Sequence, residues 1–363
     1  MFKILHEDGG ARVGKLYTAH GAIDTPAFMP VATKGSVKTL SSEELAETHT
    51  QALIANSFLL YLKPGVEVIT NAGSLHEFMS WRRAIFTDSG GYQMLRKDFL
   101  LGVSKKGVKF RSPFDGSKHL LTPEKCMEIQ EALGSDVAMV LDDCPSYGSD
   151  HEYVQDSLKR TLDWAVRCKG SRTYSASEKQ MLFAIIQGGV FNDLRKESAE
   201  KLAELDFDGY GIGGLSIGES EEVMFETLKN MMPSIPTEKP RYLMGVGSPA
   251  ELLESISLGI DVFDSAFPTR NARHNAVYTK SGKYSIAKGR FVHDFSPLEE
   301  GCKCYACKNY SRAYINHLLR VYEALGMRLM TMHNLHFLQN LMKEARKAIA
   351  SGEFEEFKNS FRG

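Results

Sequence analysis

Acids, amides and glycines recur where short apolar runs end. "AIFTDSGG" from Ala84 closes on Asp88 and Ser89, and "DVAMVLDD" from Asp136 closes on Asp142 and Asp143. "LFAIIQGG" from Leu182 ends in Gln187 and a glycine pair, and "GYGIGG" from Gly209 ends in Gly213 and Gly214. "RYLMGVG" from Arg241 reaches Met244 and Gly245, while "DVFDSAFPTRNAR" from Asp261 plants Asp264 among apolar residues with Arg270 and Arg273 just behind. Carboxylates, one amide and exposed backbone N–H groups can read the Watson–Crick edge of a purine. Asp accepts from N1–H and the exocyclic amine of guanine, and Gln or a backbone N–H donates to O6. Aromatic and thioether side chains such as Tyr92 and Met244 can stack on the two faces. Two further carboxylates can divide nucleophile and general-acid roles at a glycosidic carbon. A single strand-end Asp is more often a cap or turn former; a pattern repeated over five run ends is not so readily explained.

These residues need a frame that gathers run ends. Two more runs, "PAFMPV" from Pro26 and "ALIANSF" from Ala52, bring the candidate strands to eight. Helical signals lie between them. "TPEKCMEIQEALG" has a Thr cap at 122 followed by proline, and "FNDLRKESAEKLAEL" and "SPAELLESISLG" repeat apolar residues every three or four positions. Alternating strand and helix predicts parallel strands with crossovers, and eight of them predict an α/β (β/α)8 TIM barrel. In such barrels the active site is built at the C-terminal mouth, from strand ends and the loops that follow. Residues 100–121 and 274–292 read as inserted hairpins. A small Cys-bearing module and amphipathic helices near 308–325 and 333–350 complete the chain. The expected organisation is one barrel domain over 1–363, with a metal-binding subdomain at 293–350 inside it.

With 363 residues, 43% hydrophobic and 25% charged, the composition is that of a globular protein. The chain has no apolar run long enough for a membrane span and no signal-peptide core at its N-terminus, so a cytoplasmic location without membrane association is expected. Net charge is −1, but residues 261–320 carry ten Lys/Arg against five Asp/Glu, so a polyanion could dock on the C-terminal third alone. Cys302, Cys304 and Cys307 crowd into a C-x-C-x2-C cluster, which reads as metal binding. Three thiolates need a fourth ligand for tetrahedral zinc, and spacing leaves His317, His333 and His336 open. A site closed by four protein ligands would be structural rather than catalytic.

The motifs "FTDSGGYQ", "DDCP", "QGG", "GGLSIGE", "MGVG", "DVFDSAFPTRNAR" and "CKCYACKNYSRAY", in this order over nearly the whole chain, resemble those of the bacterial tRNA-guanine transglycosylases. The resemblance implies a (β/α)8 barrel with a zinc-bearing insertion. It implies exchange of the wobble guanine of GUN-anticodon tRNAs for 7-aminomethyl-7-deazaguanine, the 7-deazaguanine precursor of queuosine. By the same resemblance Asp264 is the nucleophile and Asp88 the general acid/base. Ser89, Asp142, Gln187 and the backbone at Gly214 and Leu215 bind the base, sandwiched by Tyr92 and Met244. RNA contacts are implied for Gly245, Val246, Gly247, Ser248, Pro249, Ala250 and Glu251, and for Thr269, Arg270, Asn271, Ala272 and Arg273. The resemblance makes His333, expected at the start of the last helix, the fourth zinc ligand, and it implies one structural zinc per subunit of a homodimer. Ser265 and Asp143 depart from the commonest family pattern, where Cys and Glu stand. Neither changes a role implied above, though Asp143, shorter than Glu, could alter how the pocket adapts to different bases. Ile217, bulky where queuine-using relatives have Gly, favours with Cys144 the small aminomethyl base.

Two rivals explain part of the set. A (β/α)8 glycoside hydrolase would use Asp88 and Asp264 but has no use for the zinc ligands, the arginines and the purine-edge residues. A non-catalytic RNA-binding protein with a zinc knuckle would explain 261–320 but not the strand ends. A partner subunit without chemistry would be expected to lack the nucleophile or base-binding residues, and this chain has them.

Overall fold

A computed structural model describes residues 1–91, 99–173 and 180–361. Eight parallel strands form its centre, numbered here β1 (Ala27–Pro30), β2 (Ala52–Asn56), β3 (Ala84–Asp88), β4 (Val137–Met139), β5 (Met181–Ile186), β6 (Gly209–Ile212), β7 (Arg241–Leu243) and β8 (Val262–Ser265). Each pairs with its sequence neighbours, and β8 returns to β1 with Val262 opposite Ala27 and Ser265 opposite Pro30. A parallel bridge between Val31 and Ile54, with the Ala32 N–H donating to the Ile54 carbonyl at 2.7 Å, joins β1 to β2. The sheet is thus a closed (β/α)8 barrel, and the eight apolar runs are its staves. Their apolar character is continuous because helices cover one face and the barrel interior the other.

Phe86 of β3 meets Phe183 of β5 and Tyr242 of β7 edge to face inside the barrel, with centroids 5.8 and 6.0 Å apart. Three odd-numbered strands thereby supply one layer of rings beneath the mouth, the alternation expected of such barrels.

The expected helices form with their caps. Thr122 caps Pro123–Leu133, which ends on Gly134 in the left-handed region at φ 70°. Asn192–Glu204 and Pro249–Ser257 follow β5 and β7, the latter opened by a reciprocal Ser248–Glu251 capping box. The first insertion is a three-stranded antiparallel sheet, Leu100–Ser104, Gly107–Arg111 and Lys118–Leu121, one strand more than a hairpin. The second is the hairpin Ala276–Thr279 with Gly282–Ser285.

Two further features depart from the sequence reading. The first twenty-five residues form an antiparallel sheet, Phe2–Asp8, Ala11–Thr18 and Gly21–Thr25, which was not anticipated. Arg12 ties it to the start of β8: its Nε donates to Asp261 Oδ1 at 2.8 Å and its Nη2 to Oδ2 at 2.5 Å. The last long helix runs over Ala324–Ser351, so His333 lies well inside it rather than at its start. The stretch from Ala324 is rich in Leu and Met and free of proline, so nothing stops a helix from beginning nine residues earlier. A second, smaller core gathers Ala272, Val277, Ile286, Phe291, Leu298, Ile315, Leu318, Leu329 and Met330 beside the cysteine cluster. Among the described residues no helix is long and apolar enough to cross a membrane.

Candidate active site and metal-ligand cluster

Asp88 and Asp264 end their strands at the same mouth. The register of β2 on β3 sets Asn56 opposite Asp88, and Asn56 Nδ2 donates to Asp88 Oδ1 at 2.8 Å. The Gly90 N–H donates to the same oxygen at 2.9 Å. Gly90 has φ 79°, and a Cβ there would stand 2.3 Å from Phe58 Cβ, so the sharp turn that delivers this N–H requires glycine. Burial, then the charge of Asp264, push the Asp88 carboxyl up to about 7, against the hydrogen bonds from Asn56 and Gly90. Asp264 is also raised by burial, and the Tyr242 hydroxyl and the Gly245 N–H oppose that shift. Both donate to Oδ1, at 2.6 and 2.9 Å, which leaves Oδ2 without a protein donor among the described residues.

Asp142 lies just past β4, where Gln187 Nε2 donates to its Oδ2 at 2.7 Å and Ser89 Oγ to its Oδ1 at 3.3 Å. Burial lifts its carboxyl to about 6 despite these bonds. Gln187 is buried, and its Oε1 has no hydrogen-bond partner among the described residues. A Cβ at Gly213 would fall 2.6 Å from Gln187 Nε2, and one at Gly214 would fall 2.4 Å from Oε1. The glycine pair is what lets the amide lie here. Leu215 is buried beside it, and Met244 is half-buried with its sulfur in the barrel near Gly211. Tyr92 lies outside the described residues. Asp143 does not face the pocket as the sequence reading supposed. Its Oδ2 accepts from Arg160 Nε at 2.7 Å and its carbonyl accepts from Ser157 Oγ, so it is anchored to the helix His151–Gly170.

The two segments assigned to RNA differ in how much they present. In Gly245–Glu251, Val246, Gly247 and Pro249 are buried and Ser248 and Glu251 cap each other, leaving Gly245 and Ala250 exposed. Ser265 Oγ donates to the Gly245 carbonyl at 3.2 Å, bracing this loop on β8. Thr269–Arg273 fall in a short helix, Phe267–Arg273, with Thr269 and Ala272 buried. Asn271 Nδ2 returns to the Phe267 carbonyl at 2.9 Å. Arg270 is exposed; Arg273 is half-buried, and its Nη1 is enclosed without a partner among the described residues.

Away from the mouth, Cys302, Cys304, Cys307 and His333 converge. Their sulfurs stand 3.8, 3.5 and 3.4 Å from His333 Nδ1. Ligand-to-ligand edges of about 3.5–3.8 Å follow from a tetrahedral ion with metal–sulfur bonds near 2.3 Å and metal–nitrogen bonds near 2.05 Å. His333 Nε2–H donates to the Tyr278 carbonyl at 2.8 Å, which turns Nδ1 to the sulfurs. The cluster could hold a metal ion. His317 is exposed on the helix Arg312–Arg320 and takes no part in it.

Comparison with known proteins gives this arrangement its context. A family model described as "Queuine tRNA-ribosyltransferase" matches residues 7–363. The chain belongs to the queuine tRNA-ribosyltransferase family. A protein of that name from Desulforamulus reducens is 51% identical over 351 residues, covering 97% of this chain and 94% of the relative. Another from Symbiobacterium thermophilum is 47% identical over 362 residues, covering 99% and 90%. A third, from Thermoanaerobacter sp., is 49% identical over 362 residues, covering 99% and 96%.

In this member of the queuine tRNA-ribosyltransferase family, sequence reasoning passed over the residues that hold the acids in place. Asn56 was visible as the polar end of "ALIANSF" and could have been placed among the strand-end residues. Tyr242 gave no such signal, because a tyrosine within an apolar run reads as core.

Proposed function

We propose that the chain is a tRNA-guanine transglycosylase that exchanges the wobble guanine of GUN-anticodon tRNAs for 7-aminomethyl-7-deazaguanine. The observation that carries this is the pairing of two raised carboxyls, Asp88 and Asp264, at one mouth with the Asp142–Gln187 edge-reading pair. In this reading Asp264 Oδ2 attacks the ribose anomeric carbon. The C–N bond to guanine breaks, and Asp88, titrating near neutrality, delivers a proton to the departing base. Tyr242 and Gly245 hold the other oxygen of Asp264 and orient the carboxylate. The resulting ester keeps the RNA on the enzyme, so the strand is not merely depurinated. The incoming base gives its proton to Asp88, its nitrogen attacks the anomeric carbon, and Asp264 leaves.

The target nucleotide must leave the anticodon stack to reach the pocket, at a cost of a few kcal/mol. The exposed Arg270, half-buried Arg273 and open Gly245 edge are suited to offset this through phosphate contacts. Ser89, Gly214 and Leu215 would complete the base edge and Met244 one stacking face. Three thiols and an imidazole favour zinc over harder cations. Cys302, Cys304, Cys307 and His333 would hold one zinc per subunit as a fold element within a subdomain at 293–350. A homodimer and a cytoplasmic location complete the proposal.

The test is incubation with unmodified GUN-anticodon tRNA and labelled guanine, followed by denaturing electrophoresis. Incorporation and a covalent protein–RNA band are expected, and both should vanish in Asp264→Ala. Incorporation by that variant would sink the mechanism, and none by the wild type would sink the function. Metal analysis should find one zinc per chain, and removing Cys302 should cost folding or assembly before chemistry.

A further inference from the structure

Arg195, the fourth residue of the helix Asn192–Glu204, is wholly buried beside the base pocket and makes no ion pair among the described residues. Its hydrogen bonds all go to backbone carbonyls. Nε donates to Gly189 at 2.7 Å, Nη1 to Ile186 at 3.0 Å and Gly213 at 2.8 Å, and Nη2 to Gly214 at 3.2 Å. One guanidinium therefore joins the end of β5 to the turn after β6. Burial lowers its pKa to about 10, so it stays charged at neutral pH. A buried cation with no counter-ion at contact is costly to keep, and a neutral apolar side chain would pack the same helix against the barrel.

The carbonyls it holds suggest what it does. In a trans peptide the N–H points opposite to the C=O. Holding the Gly213 carbonyl therefore turns the Gly214 N–H away from the guanidinium, and holding the Gly214 carbonyl does the same for the Leu215 N–H. Among the described residues neither N–H donates to any protein acceptor. Gly214 lies against Gln187 so closely that even a Cβ would not fit, and Leu215 follows it in the same turn. A carbonyl that accepts from a charged donor also makes its own peptide N–H a stronger donor.

We propose that Arg195 is a positioning residue for the base: by fixing the Gly213 and Gly214 carbonyls, it aims the N–H groups of Gly214 and Leu215 at the exocyclic O6 of a 6-oxopurine. This rests on the transglycosylase reading, in which Asp142 and Gln187 take the rest of the same edge. Arg195 itself never touches the ligand.

The experiment compares Arg195→Met and Arg195→Lys with wild-type enzyme, measuring dissociation constants for guanine and for 2-aminopurine, which lacks O6. Because 2-aminopurine also lacks N1–H, the comparison is made across proteins for each base, so the Asp142 contribution cancels. Arg195→Met should lose about tenfold in guanine affinity, one good hydrogen bond's worth. Its 2-aminopurine affinity should stay within about twofold. Arg195→Lys, which keeps the charge but not the fork, should fall between, and the KM for tRNA should not move. Equal weakening of both bases would show a merely structural role and overturn the proposal, as would unchanged guanine affinity. If neither variant folds, the wild type decides through its Gly214 amide resonance in ¹⁵N-glycine protein. A downfield shift with guanine and none with 2-aminopurine supports the assignment, and the same response to both overturns it. A wild type that shows this selectivity without incorporating guanine into tRNA would sink the transglycosylase reading and leave Arg195's role standing.

Discussion

Strands β4 and β8 each carry an acid at both ends, and the two ends are treated in opposite ways. At the starts, Asp136 and Asp261 are locked. Asp261 takes the Arg12 fork and the Arg241 N–H, and Asp136 takes His20, His76 and the Ile85 N–H. At the far ends, Asp142 and Asp264 are held by amide, hydroxyl and backbone donors. Burial pushes every one of these acids upward. At Asp136 the hydrogen bonds from His76, Ile85 and His20 outweigh it and hold the carboxyl down at about 2, while Asp142 rises to about 6. At Asp261 burial still outweighs Arg12 and Arg241, so the paired guanidinium is what makes that acid a rivet, whereas at Asp136 it is the number of donors; the mouth acids have neither. Asp261 and Asp264 are three residues apart, about 10 Å along a strand, and that distance separates a structural acid from the proposed nucleophile.

The largest contrast should come from removing one acid at each end of β8. Asp264→Asn should lower base exchange by at least about 10⁴-fold, since in the proposed mechanism the ester forms on Asp264. Chemical denaturation should show no loss of stability, because the lost charge was one that burial disfavoured. Arg12→Met should do the reverse. It strands Asp261 as a buried unpaired charge, at a cost of about 3–5 kcal/mol, with exchange per folded molecule unchanged. Activity loss in Arg12→Met beyond its folded fraction, or a strongly destabilised Asp264→Asn, would erase the distinction.

Much of the mouth was legible in the sequence because a barrel strand end is a pattern: an apolar run, then polar or small residues. That pattern produced the eight strands and the positions of Asp88, Asp142, Gln187 and Asp264. The rivets at the other face were not legible. Arg12 meets Asp261 across 249 residues, and nothing in "ARVGKLYT" marks its arginine as buried. Asp143 shows the limit within a motif. Adjacent to Asp142 in sequence, it is turned to Arg160 because successive residues leaving a strand point to opposite sides. Sequence order gave neighbours; only the closed barrel gave faces.

Asp136 offers a smaller and pH-specific test. Its folded pKa lies below its unfolded value, so it contributes stability that is complete above about pH 4 and is lost as pH falls toward 2. A shift of that size corresponds to about 2–3 kcal/mol at neutral pH. Asp136→Asn should lower the denaturation midpoint at pH 7 and flatten its decline between pH 5 and 3. Asp142 and Asp88, raised in the folded state, act with the opposite sign: they favour folding at low pH and withdraw that support as pH rises through about 6 and 7. An acid limb of equal steepness in Asp136→Asn and wild type would remove Asp136 from the account.

The finest adjustment belongs to Asn56. Its amide is one of the donors that hold the Asp88 carboxylate, and it opposes the upward push of burial and of Asp264. Asn56→Ala should move Asp88 further up, because the charged form loses a donor while burial and the neighbouring acid remain. The pH profile of single-turnover exchange should therefore shift alkaline by less than about one pH unit, with a few-fold change in rate at pH 7. Asn56 also caps the helix Ser57–Leu62 through the Leu59 N–H at 2.7 Å, so some stability is lost as well. Asn56→Asp keeps a capping oxygen but brings a third charge beside Asp88, and should shift the profile further in the same direction. If both variants lose stability while the pH profile stays in place, Asn56 serves the helix alone, and the mouth acids are tuned by burial and by one another.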